Sequence, residues 1–170
     1  MIGDAGITPA EDHKMLMIKR GTRYCVADKR EILDAAAQLQ VQDLARKKCT
    51  NPKDTAAFLR NALAPRDSEC FAVLWLDNRQ QVLGFDVLFY GSIAESAVYP
   101  REVVKTALAR TAAACVFAHN HPSGILEPSQ ADELITRRLK DALALVDIRV
   151  ADHIIVSSAG AYSFAEHGVI

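Results

Sequence analysis

Cysteine is scarce in this chain and poorly placed for pairing. Cys25, Cys49, Cys70 and Cys115 are widely scattered and include no Cys-x-x-Cys pair. That speaks against a zinc ribbon or a disulfide framework and leaves reduced thiols packed as small apolar groups. An excess of either charge is missing too. The formal net charge is −1 at pH 7, which argues against a protein that coats nucleic acid, although a local basic patch is compatible with it. Long hydrophobic runs are absent. None approaches the roughly 20 apolar residues that span a bilayer, so no membrane partner is expected. The start, Met1-Ile2-Gly3-Asp4, lacks the basic opening and apolar stretch of a signal peptide, and a cytoplasmic location is the expectation.

What is present fits one globular domain with a real core: 170 residues, 50% apolar and 24% charged. Residues 1–27 are the least readable; Met15–Ile18 and Tyr24–Val26 read as short strands or a docking arm. From Lys29 to Lys48 the pattern is helical, with Ile32, Leu33, Ala36, Leu39 and Leu44 at three- and four-residue steps. Asp28 is its expected N-cap, with Glu31 three residues on, and Arg46-Lys47-Lys48 closes it. A second helix is predicted from Pro52 to Leu63, capped by Asn51. The period then changes. Glu69–Leu76 and Gln81–Tyr90 read as a hairpin that Gly91-Ser92 ends. A helix follows from Pro100 to about Ala114, with Val103, Val104, Ala107 and Leu108 on one face. Cys115–Ala118 is a short strand, Gln130–Leu145 a helix, Ile148–Ser157 a strand, and Tyr162–Phe164 a short returning strand. Strand–helix–strand units need both sheet faces covered, so the fold class is α/β, a mixed sheet between helices.

The chemistry concentrates in His119-Asn120-His121-Pro122-Ser123-Gly124-Ile125-Leu126-Glu127-Pro128-Ser129-Gln130-Ala131-Asp132. If the strand before it continues, His119 and His121 point to the same side and can share one divalent ion. Asp132 is the candidate third ligand, leaving a fourth position for water. Ser129 and Asp132 also fit a capping box at a helix start, and the two roles are compatible. A hydrolase of this design needs a base as well. Glu127, between Leu126 and Pro128, and Glu69, opening an otherwise apolar strand, are both available. The pattern alone does not choose between them. Zinc deaminases need His-x-Glu with a later Pro-Cys-x-x-Cys, and zincins His-Glu-x-x-His on a helix; neither motif occurs.

The stretch from His119 to Asp132 resembles the JAMM pattern of MPN/JAB-domain metallohydrolases, an upstream Glu, then His-x-His-Pro, then Ser-x-x-Asp. It is most similar to the RadC-like branch, which carries His-Asn-His-Pro-Ser-Gly and Pro-Ser-x-x-Asp. Gly91-Ser92, Tyr99-Pro100-Arg101-Glu102-Val103 and Asp152-His153-Ile154-Ile155-Val156 agree with that branch, and the similarity covers about residues 50–168. The resemblance implies a three-layer JAB/MPN fold, cytidine-deaminase-like in outline, over residues 51–170, preceded by an arm and helix in residues 1–50. It implies zinc on His119, His121 and Asp132, Glu69 as general acid/base, and Ser129 as oxyanion stabiliser. Asp152 and His153 are expected to support the ligands without touching the metal. The implied function is a zinc-dependent metallopeptidase or isopeptidase acting on a peptide or protein; a homodimer is compatible with it. The alternatives are a non-catalytic MPN-type binding module and a metal-dependent nuclease linked to DNA repair. Residues 1–50 carry nothing like the helix-hairpin-helix region of longer RadC proteins.

Overall fold

A computed structural model describes residues 16–46, 51–91 and 98–170. Met15, Lys47, Lys48, Cys49 and Ser92 lie outside the described residues. Strands β1 (Met17–Arg20) and β2 (Arg23–Val26) form an antiparallel hairpin of their own. Its residues are mostly exposed, and the Arg20–Glu31 ion pair ties it to the next helix.

Helix α1 (Lys29–Arg46) begins as expected, with Glu31 N donating to Asp28 Oδ1 and Asp28 N to Glu31 Oε2. Its buried stripe differs from the expected one. Ala37, Val41 and Leu44 are buried, whereas Leu39 is 66% exposed. Leu39 is two residues, about 200° of helical turn, from both Ala37 and Val41, so it faces away. Helix α2 (Pro52–Leu63) is capped by Asn51, whose Oδ1 accepts from Asp54 N.

Strands β3 (Cys70–Leu76) and β4 (Val82–Tyr90) form the expected hairpin. Helix α3 (Pro100–Ala109) ends earlier than the sequence implied, because Thr111 takes a positive φ of 50° that a helix cannot continue through. It buries Val103 and Ala107, and Leu108 on its flank is exposed. Strand β5 (Ala114–Asn120) runs further than expected, through His119. Helix α4 (Gln130–Ala144), strand β6 (Arg149–Val156) and strand β7 (Ala161–Ser163) complete the chain.

The main sheet has the order β4-β3-β5-β6-β7. Only β5 and β6 are parallel, linked by α4; the other pairs are antiparallel. Alternation along β3 builds two cores. Ala72, Leu74 and Leu76 pack with α1 and α2, while Phe71, Val73 and Trp75 pack with α3 and α4. The chain is thus a three-layer α/β fold, as its pattern implied. No helix among the described residues is long and apolar enough to cross a membrane.

Candidate metal centre

Topology brings distant residues to one point. Strand β5 delivers His119 at its C-terminal end, where β5 and β6 run parallel and α4 begins. Strand β3 runs the other way, with Phe71 opposite His119. Glu69, two residues before Phe71, therefore arrives level with the turn after β5. One ligand atom each from Glu69, His119, His121 and Asp132 lie within 4.8 Å of one another.

The loop from His121 is tied down by its backbone. His121 N donates to Val156 O at 2.9 Å and Gly124 N to His121 O at 3.1 Å. Ser157 Oγ donates to Gly124 O at 3.2 Å. Gly124 has φ 87°, a conformation that suits glycine. The turn brings the Ile125 carbonyl to 2.7 Å from His121 Nδ1. A carbonyl only accepts, so Nδ1 carries the proton and His121 Nε2 is left with a lone pair.

Ser129 caps α4. Its hydroxyl accepts from Asp132 N at 3.2 Å and donates to Asp132 Oδ2 at 2.7 Å; Ser129 N also donates to Oδ2, at 2.7 Å. The capping box holds Asp132 with its other oxygen facing the imidazoles. The capping role foreseen for Ser129 and Asp132 is thus present, and in Asp132 it uses Oδ2 and leaves Oδ1 toward His119.

The spacing of these groups tests whether a metal fits. His119 Nε2 is 3.0 Å from His121 Nε2 and 3.3 Å from Asp132 Oδ1, and His121 Nε2 is 3.7 Å from Asp132 Oδ2. Atoms bound at roughly 2.0–2.1 Å to a tetrahedral ion lie about 3.3–3.4 Å apart. The three contacts bracket that value. Acceptors this close need a positive species among them. A proton on one imidazole satisfies one pair, whereas a divalent ion satisfies all of them. The cluster is therefore a potential metal-binding group compatible with zinc.

Electrostatics agree. Burial opposes ionisation of Asp132, but the contacts from His119 and the two from Ser129 outweigh it and hold the carboxyl well below the usual range. Asp132 and His119 are almost wholly buried, while His121 is partly open. His153 is wholly buried; burial first, and the neighbouring His119 next, push it well below the ordinary imidazole range. The thiols of Cys70 and Cys115 stay out of this chemistry: burial pushes Cys70 up to about 12 and Cys115 further.

The other singled-out residues separate clearly. His153 touches His119 directly, with Nε2 2.8 Å from His119 Nδ1. Asp152 points elsewhere; it accepts from His153 N, Ala165 N and Ser163 Oγ. Glu127 is exposed and outside the four-residue group. Two participants went unnoticed in the sequence. Thr136 Oγ1 lies 2.6 Å from His153 Nδ1. Asn120, 1% exposed, accepts from Cys70 N at 2.8 Å and donates to Ser68 O at 3.1 Å, gripping both neighbours of Glu69. A readable signal existed for each. Asn120 alternates with the two histidines and so faces the other side, and Thr136 is one turn after Asp132 on the apolar face of α4.

A family model described as a RadC-like JAB domain matches residues 49–169. A UPF0758 protein of Thioalkalivibrio sulfidiphilus is 56% identical over 121 residues, 71% of this chain and 54% of that protein. One of Nitrosococcus oceani is also 56% identical, with the same coverage. This chain spans about half the length of these two. A UPF0758 protein of Coxiella burnetii is 45% identical over 175 aligned residues, 99% of this chain and 75% of that protein. That alignment carries the likeness upstream of residue 49, into the segment where the sequence offered no resemblance.

Proposed function

The chain belongs to the RadC-like JAB domain family, and we propose that it is a zinc-dependent hydrolase of amide bonds, metallopeptidase or isopeptidase in type, acting on a peptide or protein. The observation that carries this reading is the set of His119, His121 and Asp132 acceptors at ligand spacing with the Glu69 carboxylate beside them.

His119, His121 and Asp132 would hold the ion. When bound, zinc would acidify water and polarise a substrate carbonyl. Glu69 is only partly buried and within reach of the same point. Its carboxylate takes a proton from the attacking water and returns it to the leaving amine. The Ser129 hydroxyl, now donating to Asp132 Oδ2, turns to donate to the carbonyl oxygen as negative charge grows there. Asn120 holds Ser68 and Cys70 and so sets where the Glu69 carboxylate stands.

Metal analysis and peptide hydrolysis test the reading. Glu69→Gln is expected to keep about one zinc per chain and to lose about 10²- to 10⁴-fold in rate. His121→Ala is expected to lose zinc. Full-rate hydrolysis by Glu69→Gln on a substrate the wild type cleaves would refute the assignment. A folded wild-type protein that takes up no zinc would favour a binding module instead.

A further inference from the structure

We propose that a bulge in β6, together with His153 and Thr136, forms a tautomer lock that fixes the free lone pair of His119 on the metal side. Its purpose rests on the zinc reading above, while its geometry stands apart from any activity.

The bulge decides which face His153 takes. Along β5 and β6, Cys115 pairs with Val150 but Val116 pairs with Asp152, so Ala151 is an extra residue. One extra residue reverses the facing of everything after it. The cores record the reversal. Val150 packs with the α3/α4 cluster, yet Ile154 and Val156, of the same parity, pack with the α1/α2 cluster. His153 is thereby turned to the α3/α4 side, opposite Phe117 and under His119. Without the bulge, Asp152 would take that place and His153 would face α2. Asp152 braces the distortion to the end of the sheet through Ser163 Oγ at 2.6 Å and Ala165 N at 3.0 Å.

The order of protons then follows from one end. Thr136 Oγ1 lies 2.5 Å from the Asp132 carbonyl. A carbonyl cannot donate, so the hydroxyl proton goes to it. Thr136 Oγ1 must then accept from His153 Nδ1, 2.6 Å away. That leaves His153 Nε2 bare, to accept from His119 Nδ1 at 2.8 Å. His119 Nε2 is left bare in turn, facing His121 and Asp132. Among the described residues, the other aromatic rings against His153 are Phe71, Phe117 and Phe164, none of which offers an alternative partner. The chain starts at the backbone of Asp132 and ends at the nitrogen beside the Asp132 carboxylate, so α4 sets both ligands at once.

Thr136 and His153 are accordingly positioning residues, and the test reads the tautomer as well as the metal. In ¹⁵N-labelled, metal-free protein, long-range ¹H–¹⁵N spectra should show His119 and His153 both protonated on Nδ1, with His153 bare at Nε2. Thr136→Val keeps the shape and removes the hydroxyl. It is expected to populate the opposite His119 tautomer and to weaken zinc binding about 10- to 100-fold in chelator competition. Thr136→Ser should restore both, and His153→Phe should weaken zinc similarly while the fold is retained. Folded Thr136→Val and His153→Phe proteins that bind zinc as the wild type does, with His119 still protonated on Nδ1, would overturn the lock. A wild-type protein with the expected tautomer but no zinc affinity would leave the lock standing and overturn the zinc reading.

Discussion

Asn120 offers a prediction that needs no substrate. Its side chain, 1% exposed, is the acceptor for the backbone N–H of Cys70, itself wholly buried, at 2.8 Å. Its amide donates to Ser68 O at 3.1 Å. In Asn120→Ala the Cys70 N–H loses its partner where water does not reach, at about 1–3 kcal/mol. Loss of the half-buried Ser68 bond adds about 0.5–1.5 kcal/mol. The expected destabilisation is therefore about 1.5–4.5 kcal/mol, read from urea unfolding, with faster hydrogen exchange at the Cys70 amide. Asn120→Asp keeps the acceptor but sets a carboxylate against the Ser68 and Arg66 carbonyls, and is not expected to rescue. Zinc uptake should persist in Asn120→Ala, because His119 and His121 keep their own partners. A loss below about 1 kcal/mol with unchanged Cys70 exchange would refute the reasoning, since the N–H would then have another acceptor.

Other expectations test separate parts of the molecule. A Cβ at Gly84 would sit 2.7 Å from Arg110 Nη1, and Arg110 is held by both oxygens of Asp86, which also accepts from Trp75 Nε1. Gly84→Ala should displace that guanidinium and cost about 1 kcal/mol; an unchanged melting temperature would count against it. Ser129→Ala removes the α4 cap and should cost about 1 kcal/mol in urea unfolding, with Ser129→Thr close to wild type. His153 supplies a pH dependence. Its folded form resists protonation, so the unfolded chain takes up a proton below the ordinary value of 6.5 that the folded chain refuses. Stability of the metal-free protein should therefore fall as pH drops below that value, by up to about 1.4 kcal/mol per pH unit from this group. His153→Phe should flatten the slope between about pH 6.5 and about pH 5, and parallel slopes in the two proteins would argue against it.

Much of the architecture was legible because each element carries its own period. The capped starts of α1, α2 and α4 were readable from Asp28, Asn51 and Ser129, since caps act within one turn. Less of the packing was. Leu39 and Leu108 are apolar residues at helical spacing, yet both are exposed, because spacing names a set of faces and only a neighbour selects one.

The site divides along the same line. His119, His121, Ser129 and Asp132 lie within fourteen residues, and a rigid loop between strand and helix brings them together locally. Glu69 could not be preferred over Glu127 from the pattern, and family resemblance made the choice. Pairing explains it: β3 runs antiparallel to β5, so its first residues meet the end that carries His119. The roles of Asn120, Thr136 and His153 depend on sheet register and on one extra residue in β6. Register is a property of two strands together, so no single stretch of chain contains it. The sequence by itself determined which groups could bind a metal; the tertiary structure decided which carboxylate joins them and which way the imidazoles turn.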